Sequence, residues 1–231
     1  MEAQLNLENE LYIIDKPRIL NATTPEYRQF LRDSGYGDLD SCSGIGFAKG
    51  ILKYDQSVRQ AAARAGLALS GTDGDYVVKI NHPDARRLVE ALGYKVPTVG
   101  LMYRLFIPYI KELAQSGNAE AQATLNEMKG IPVGKAEWLE DRILDYNRLL
   151  VGKTERAIFL PDKDGSFDRA DINDFGYPTS VKRSGEFYRG QPGGNERAAI
   201  RNRGSEVDLN LSWGPSFKDD RLGVRPSKIF S

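Results

Sequence analysis

Gly152 separates two kinds of sequence pattern, and this change limits the fold more than any other feature of the chain. Before it, apolar residues recur at helical spacing between glycine-rich turns. After it, Gly, Pro, Asp, Asn and Arg dominate, and apolar residues come in short alternations. In Val207-Asp208-Leu209-Asn210-Leu211, a period of two places Val207, Leu209 and Leu211 on one buried face. The pattern predicts an α+β chain with a helix-rich N-terminal part, residues 1–95, and a second domain over residues 96–231. No internal repeat or low-complexity linker divides it.

Local signals place most of the elements. Thr24 caps a helix begun by Pro25 and ended by Gly35, and a second helix covers residues 57–65. The β-branched run at residues 76–80 reads as a strand, and Asn81 starts a helix that Gly93 stops. Residues 97–128 are helical, kinked at Pro108 and broken at Gly117-Asn118. Residues 136–150 put Trp138, Leu139, Ile143, Tyr146, Leu149 and Leu150 on one face of an amphipathic helix, and residues 157–160 form a short strand.

Composition excludes several classes of function. Thirty-two basic residues balance thirty-two acidic ones in 231 residues, so no global positive field holds a nucleic acid or an anionic membrane. The apolar stretch 99–110 contains Arg104 and Pro108 and is far short of the roughly 20 residues of a membrane span. The opening MEAQLNLENE lacks the basic start and apolar core of a secretory signal, which predicts cytoplasmic synthesis. Cys42 and His82 are each single, excluding a redox cysteine pair and a two-histidine metal site. Both are expected in structural roles, Cys42 as a small buried residue and His82 at a helix start.

The remaining motifs are weak. Asp162, Asp164, Asp168, Asp171 and Asp174 offer hard oxygen ligands, but the EF-hand positions for glycine and glutamate hold Phe167 and Asn173. A solvated turn is the favoured reading, with calcium the alternative and no other cofactor or metal indicated. Gly44-Ile45-Gly46 with Lys49 and Gly50 reads as a flexible turn rather than a phosphate loop. Glu137 and Glu140 read as solvated helix-surface residues, and no nucleophile elbow or Walker sequence occurs, so the chain is taken as non-enzymatic. In residues 181–231, ten Lys and Arg face six Asp and Glu. Arg183 and Arg225 are expected to be buried guanidinium groups satisfying backbone carbonyls.

Two segments resemble a known family: Arg183-Ser184-Gly185-Glu186-Phe187-Tyr188, and the run from Leu209-Asn210-Leu211-Ser212-Trp213-Gly214-Pro215 to Leu222-Gly223-Val224-Arg225. They are similar to the C-terminal variable region of proteins diversified by diversity-generating retroelements, in which strands flank a proline-containing variable loop within a C-type lectin fold. The formylglycine-generating enzymes share that fold and a similar closing motif. The resemblance covers residues 134–231. Ser184 replaces a glycine, Phe187 stands where tryptophan is usual, and the connection 189–204 is longer than the family's.

The resemblance implies a C-type lectin fold in the C-terminal part, with residues 1–95 as an attachment domain or an embellishment. It implies a ligand face of Tyr188, Asn195, Ser212, Trp213, Phe217, Asp219, Asp220 and Arg221, on a constant frame of Arg183, Gly185, Leu209, Leu211, Gly223 and Arg225. Adenine-directed mutagenesis of AAC or AAT codons reaches the residues now at 188, 195, 212, 217 and 219–221, but not Trp213, Lys218 or Glu186. The implied partner is a protein or cell-surface receptor, with a virion component or host-cell contact as the setting and the oligomeric state open. The alternatives are a formylglycine-generating-enzyme-like domain without its cysteine pair and an intracellular adaptor module. Val207–Leu211 and Leu222–Arg225 are expected to pair in one sheet.

Overall fold

The computed structural model describes residues 10–129, 136–145, 147–190, 196–203 and 206–231. Strand β1 (Leu11–Asp15) leads into α1 (Lys16–Ala22), and α2 (Pro25–Asp33) begins where the Thr24 hydroxyl accepts the Tyr27 N–H at 3.2 Å. Strand β2 (Gly44–Ala48) is followed by α3 (Gln56–Arg64), capped by Asp55, and α4 (His82–Ala91), capped by Asn81. Helix α5 (Val99–Leu101) passes through a π-turn at Met102–Phe106 into α6 (Ile107–Gln115), because Pro108 has no N–H for the ordinary ladder. Asn118 then caps α7 (Ala119–Met128).

Beyond α7 the chain is mostly strand: β3 (Ala136–Asp145), β4 (Arg148–Val151), β5 (Thr154–Ala157), β6 (Gly165–Phe167), β7 (Phe187–Arg189), β8 (Glu196–Arg203), β9 (Glu206–Trp213), β10 (Leu222–Gly223) and β11 (Ser227–Phe230). The large sheet runs β5-β4-β3-β8-β9-β7-β6, with β10 parallel to β3. A smaller antiparallel sheet runs β1-β2-β11.

The large sheet is covered on both sides. One cluster packs Phe47, Tyr103 and Phe106 with Phe187, Leu209 and Leu211. The other packs Val58 and Leu88 with Trp138, Ala199, Leu222 and Val224. Residues from both sides of position 95 contribute to each cluster, and β11 pairs with β2.

Burial on both faces corrects the expected helix over residues 136–150, which is instead the β3–β4 hairpin. Glu137 and Glu140, expected to be solvated, are 2% and 5% exposed. Glu137 accepts Arg225 Nε at 2.9 Å and Nη2 at 2.7 Å, while Arg86 stands 3.3 Å from Glu140. Arg225 is buried as expected, but its partners are chiefly carboxylates: it also reaches Glu127 at 3.0 Å and one carbonyl, that of Ala48, at 2.8 Å.

Gly44-Ile45-Gly46, expected to be a loose turn, lies in the fully buried middle strand of the small sheet. A Cβ at Gly46 would fall 2.7 Å from Leu11 Cδ1 and 2.9 Å from Phe230 Cε2, so glycine lets the flanking strands' side chains close over it. Residues 76–80 form no strand; one bridge joins Tyr76 to Lys53, and Lys79 turns away with φ +59°. Strand β5 ends at Ala157, short of the expected 157–160 strand, and leaves Phe159 63% exposed. β10 shares the sheet of β9 but pairs with β3, because β8 and β7 occupy the two edges of β9.

Candidate ligand-binding face

A bulge at the end of β9 builds the face. Asp208 lies opposite Arg201 and Asn210 opposite Ala199, but the next pairing is Trp213 with Arg197. Three steps along β9 therefore match two along β8, which swings Trp213 onto the side of Asp208 and Asn210, away from buried Leu209 and Leu211. Tyr188, opposite Asp208 in the β7–β9 ladder, shares that side.

Aromatic and charged groups meet there. The Trp213 ring stacks on Phe217 with centroids 5.1 Å apart and meets Trp138 edge-on at 6.1 Å. The Arg201 guanidinium lies 5.7 Å from the Trp213 centroid and donates through Nε to fully buried Asp208 at 2.6 Å.

The loop that carries Phe217, residues 214–221, is tied by its backbone from three directions. His82 N–H donates to Pro215 O at 3.2 Å, Lys79 N–H to Asp219 O at 3.1 Å and Ala136 N–H to Arg221 O at 2.9 Å. Asp219 accepts Arg221 N–H at 2.9 Å and Nε at 2.8 Å, and the Arg221 guanidinium holds the Asp219 carboxyl below its usual range. Lys79 pairs with Asp220 at 3.0 Å. Ser212, Phe217, Asp220 and Arg221 are exposed, whereas Trp213 is half-buried.

Of the residues expected on the face, Ser212, Trp213, Phe217, Asp219, Asp220 and Arg221 thus form one patch. Tyr188 stands five positions down β9 from Trp213, roughly 17 Å at strand rise, with its hydroxyl donating to Asp164. Asn195 and Tyr146 lie outside the described residues.

Within the expected frame, Leu209 and Leu211 are fully buried. A Cβ at Gly185 would fall 2.7 Å from Phe167 O, and one at Gly223 would fall 2.8 Å from Val77 O. Arg183 is exposed rather than buried, because it lies in the surface connection between β6 and β7. Arg201 and Lys79 were not anticipated. Arg201 lies in the stretch 189–204, which the resemblance treats as a connection but which contains β8.

The side chains of other titratable residues are held in the interior or in surface ion pairs. Cys42 donates to Leu39 O at 3.3 Å, and His82 Nε2 meets Leu139 O at 2.9 Å, so the two sit in separate surroundings. Burial, reinforced by the Arg197 charge, pushes His82 down to about 3. Asp141 accepts Val99 N–H at 2.7 Å, and burial pushes its carboxyl up to about 7. In the acidic segment, Asp168 and Asp171 bind Lys182 at 2.5 and 3.1 Å, and Asp174 binds Arg104 at 3.2 Å. Among the described residues no group of three or more potential ligands is placed to hold a metal, and no helix is long and apolar enough to cross a membrane. Comparison with known families, curated proteins and solved structures gives no match for this chain.

Proposed function

We propose that the chain is a non-enzymatic binding protein whose C-terminal face takes a protein or cell-surface receptor. In this proposal residues 96–231 adopt a C-type lectin fold, and a diversity-generating retroelement varies the face. One observation carries the reading: the exposed side chains of the 214–221 loop stand on a backbone anchored to His82, Lys79 and Ala136, while Leu209, Leu211, Leu222 and Val224 beneath them are fully buried. Side chains on such a loop exchange without disturbing the core. Trp213 and Phe217 supply rigid contact area at low entropic cost, and Arg201, Asp219, Asp220 and Arg221 supply charge. A virion component that contacts a host cell is the setting this reading favours.

Two measurements test it. A combined stability and binding scan over Ser212, Phe217, Asp219, Asp220 and Arg221, against a captured protein partner, should change binding strongly and stability little. Loss of folding at these positions comparable to Leu211→Ala would reject the reading. The neighbouring DNA should hold a reverse-transcriptase gene and a near-copy of the codons for residues 183–225 that differs chiefly at adenines.

A further inference from the structure

A groove of about 470 Å³ opens beside the same loop, walled by Tyr54, Leu69, Ser70, Tyr76, Val78 and Lys79. That volume suits a few side chains of a ligand. One wall is extended backbone. Tyr54 N–H donates to Asp75 O and Val77 N–H to Leu52 O, both at 2.8 Å, and Lys53 stands opposite Tyr76 in antiparallel sense. Peptide groups alternate sides along such a segment, so those of Val78 turn away from residues 52–54 and run along the groove.

The opposite wall is set in place beforehand. The Tyr54 hydroxyl donates to Ser70 O at 2.7 Å, and Gly71 lies so close to the Tyr54 ring that a Cβ there would fall 2.1 Å from it. At the end of the groove stands Lys79, the one non-glycine residue with positive φ among those described. Its N–H and ammonium both reach the 214–221 loop, through Asp219 O and Asp220. Asp75, the acid of the lining, accepts Thr72 N–H at 3.2 Å and stands four residues before Lys79 along the extended wall, so Lys79 is the lining's cation at the end beside the 214–221 loop.

We infer that this groove takes an extended segment of the protein partner, added as a strand along Val78, with an apolar side chain against Leu69 and Val78 and a carboxylate at Lys79. The inference rests on the reading that the partner is a protein. Strand addition takes affinity from backbone hydrogen bonds and selectivity from alternate side chains, which fits an extended wall with half-buried Leu69 and Val78 beside it. Lys79 and Asp220 are 65% and 77% exposed, a pair worth little, so an incoming carboxylate replaces Asp220 readily and couples the groove to the variable loop.

The test uses the full chain as bait for a displayed library of random linear peptides, with a glycan array in parallel. Enriched peptides should pair an apolar residue with a nearby acid, and N-methylation of alternate backbone positions should weaken them by about tenfold or more. Ser70→Trp, which fills the groove from an exposed position, should abolish capture with an unchanged melting temperature, and Ala68→Trp gives a second blocking variant. Phe217→Ala should leave peptide capture intact, so failure of the groove and failure of the variable face are separately visible. No enrichment, equal binding to both blocking variants, indifference to N-methylation, or glycan binding lost on Ser70→Trp would each overturn the proposal.

Discussion

Arg221 and Arg225 are four residues apart and belong to different regimes. Arg221 is exposed and spends its guanidinium on Asp219, two residues away, within its own loop. Arg225 is fully buried and joins α7, β2 and β3 by bonds to Glu127, Ala48 and Glu137. The difference lies in what each side chain leaves behind when removed. Truncating Arg221 returns one carboxylate to water, whereas truncating Arg225 strands buried carboxylates and a carbonyl with no solvent to replace it. A surface open to change and a frame closed to it therefore meet within a few residues.

The largest effect should come from Arg225→Ala, which we expect to destabilise the fold by about 3–5 kcal/mol in chemical denaturation because it breaks a buried ion-pair network. Leu211→Ala should cost about 2–5 kcal/mol through the cavity it opens in the core. If either change proved as mild as a surface substitution, the contrast between frame and face would collapse.

The pH dependence sharpens the comparison at an intermediate scale. Asp141, raised by burial to about 7, contributes stability that is full below pH 4 and is lost as pH rises towards 7. His82, lowered to about 3, contributes stability that is present above about pH 6.5 and is lost as pH falls towards 3. The two oppose each other between pH 4 and 6.5, and Glu140, also raised by burial, adds to the side of Asp141. Asp141→Asn should therefore raise stability at pH 7 by about 1–3 kcal/mol and make the variant lose stability on acidification more steeply than the parent. Denaturation midpoints from pH 4 to 7 check both statements.

The smallest effects belong to the loop. Asp220→Ala and Ser212→Ala should shift stability by about half a kcal/mol or less in thermal melts. A larger shift would mean that the exposed side chains support the frame.

What was legible in the sequence follows the range of the forces involved. Thr24, Asn81 and Asn118 cap helices through contacts three residues away, and Pro25, Gly35 and Gly93 act through their own backbone, so local patterns suffice. Residues 136–145 were misread because Glu137 and Glu140 look solvated until Arg225 and Arg86 arrive from elsewhere in the chain. Gly46 looked like a turn until Leu11 and Phe230 closed over it. The same limit applies to the candidate face. The run Ser212 to Arg221 was readable as one patch, but Arg201 joined it only through the β8–β9 register and Lys79 only through Asp219 and Asp220.

The pairing of β11 with β2 has a consequence for how the chain acquires its structure. Ser227 lies opposite Phe47, so the middle strand of the small sheet waits for a partner synthesised about 180 residues later. Lys95 likewise exchanges backbone hydrogen bonds with Ser227 at 2.8 Å in both directions. Contacts of such sequence separation slow folding and defer completion of the small sheet until β11 has left the ribosome. Until then β2, with its apolar Ile45 and Phe47, has β1 alone beside it, and the nascent chain carries an open strand edge that invites association with other chains.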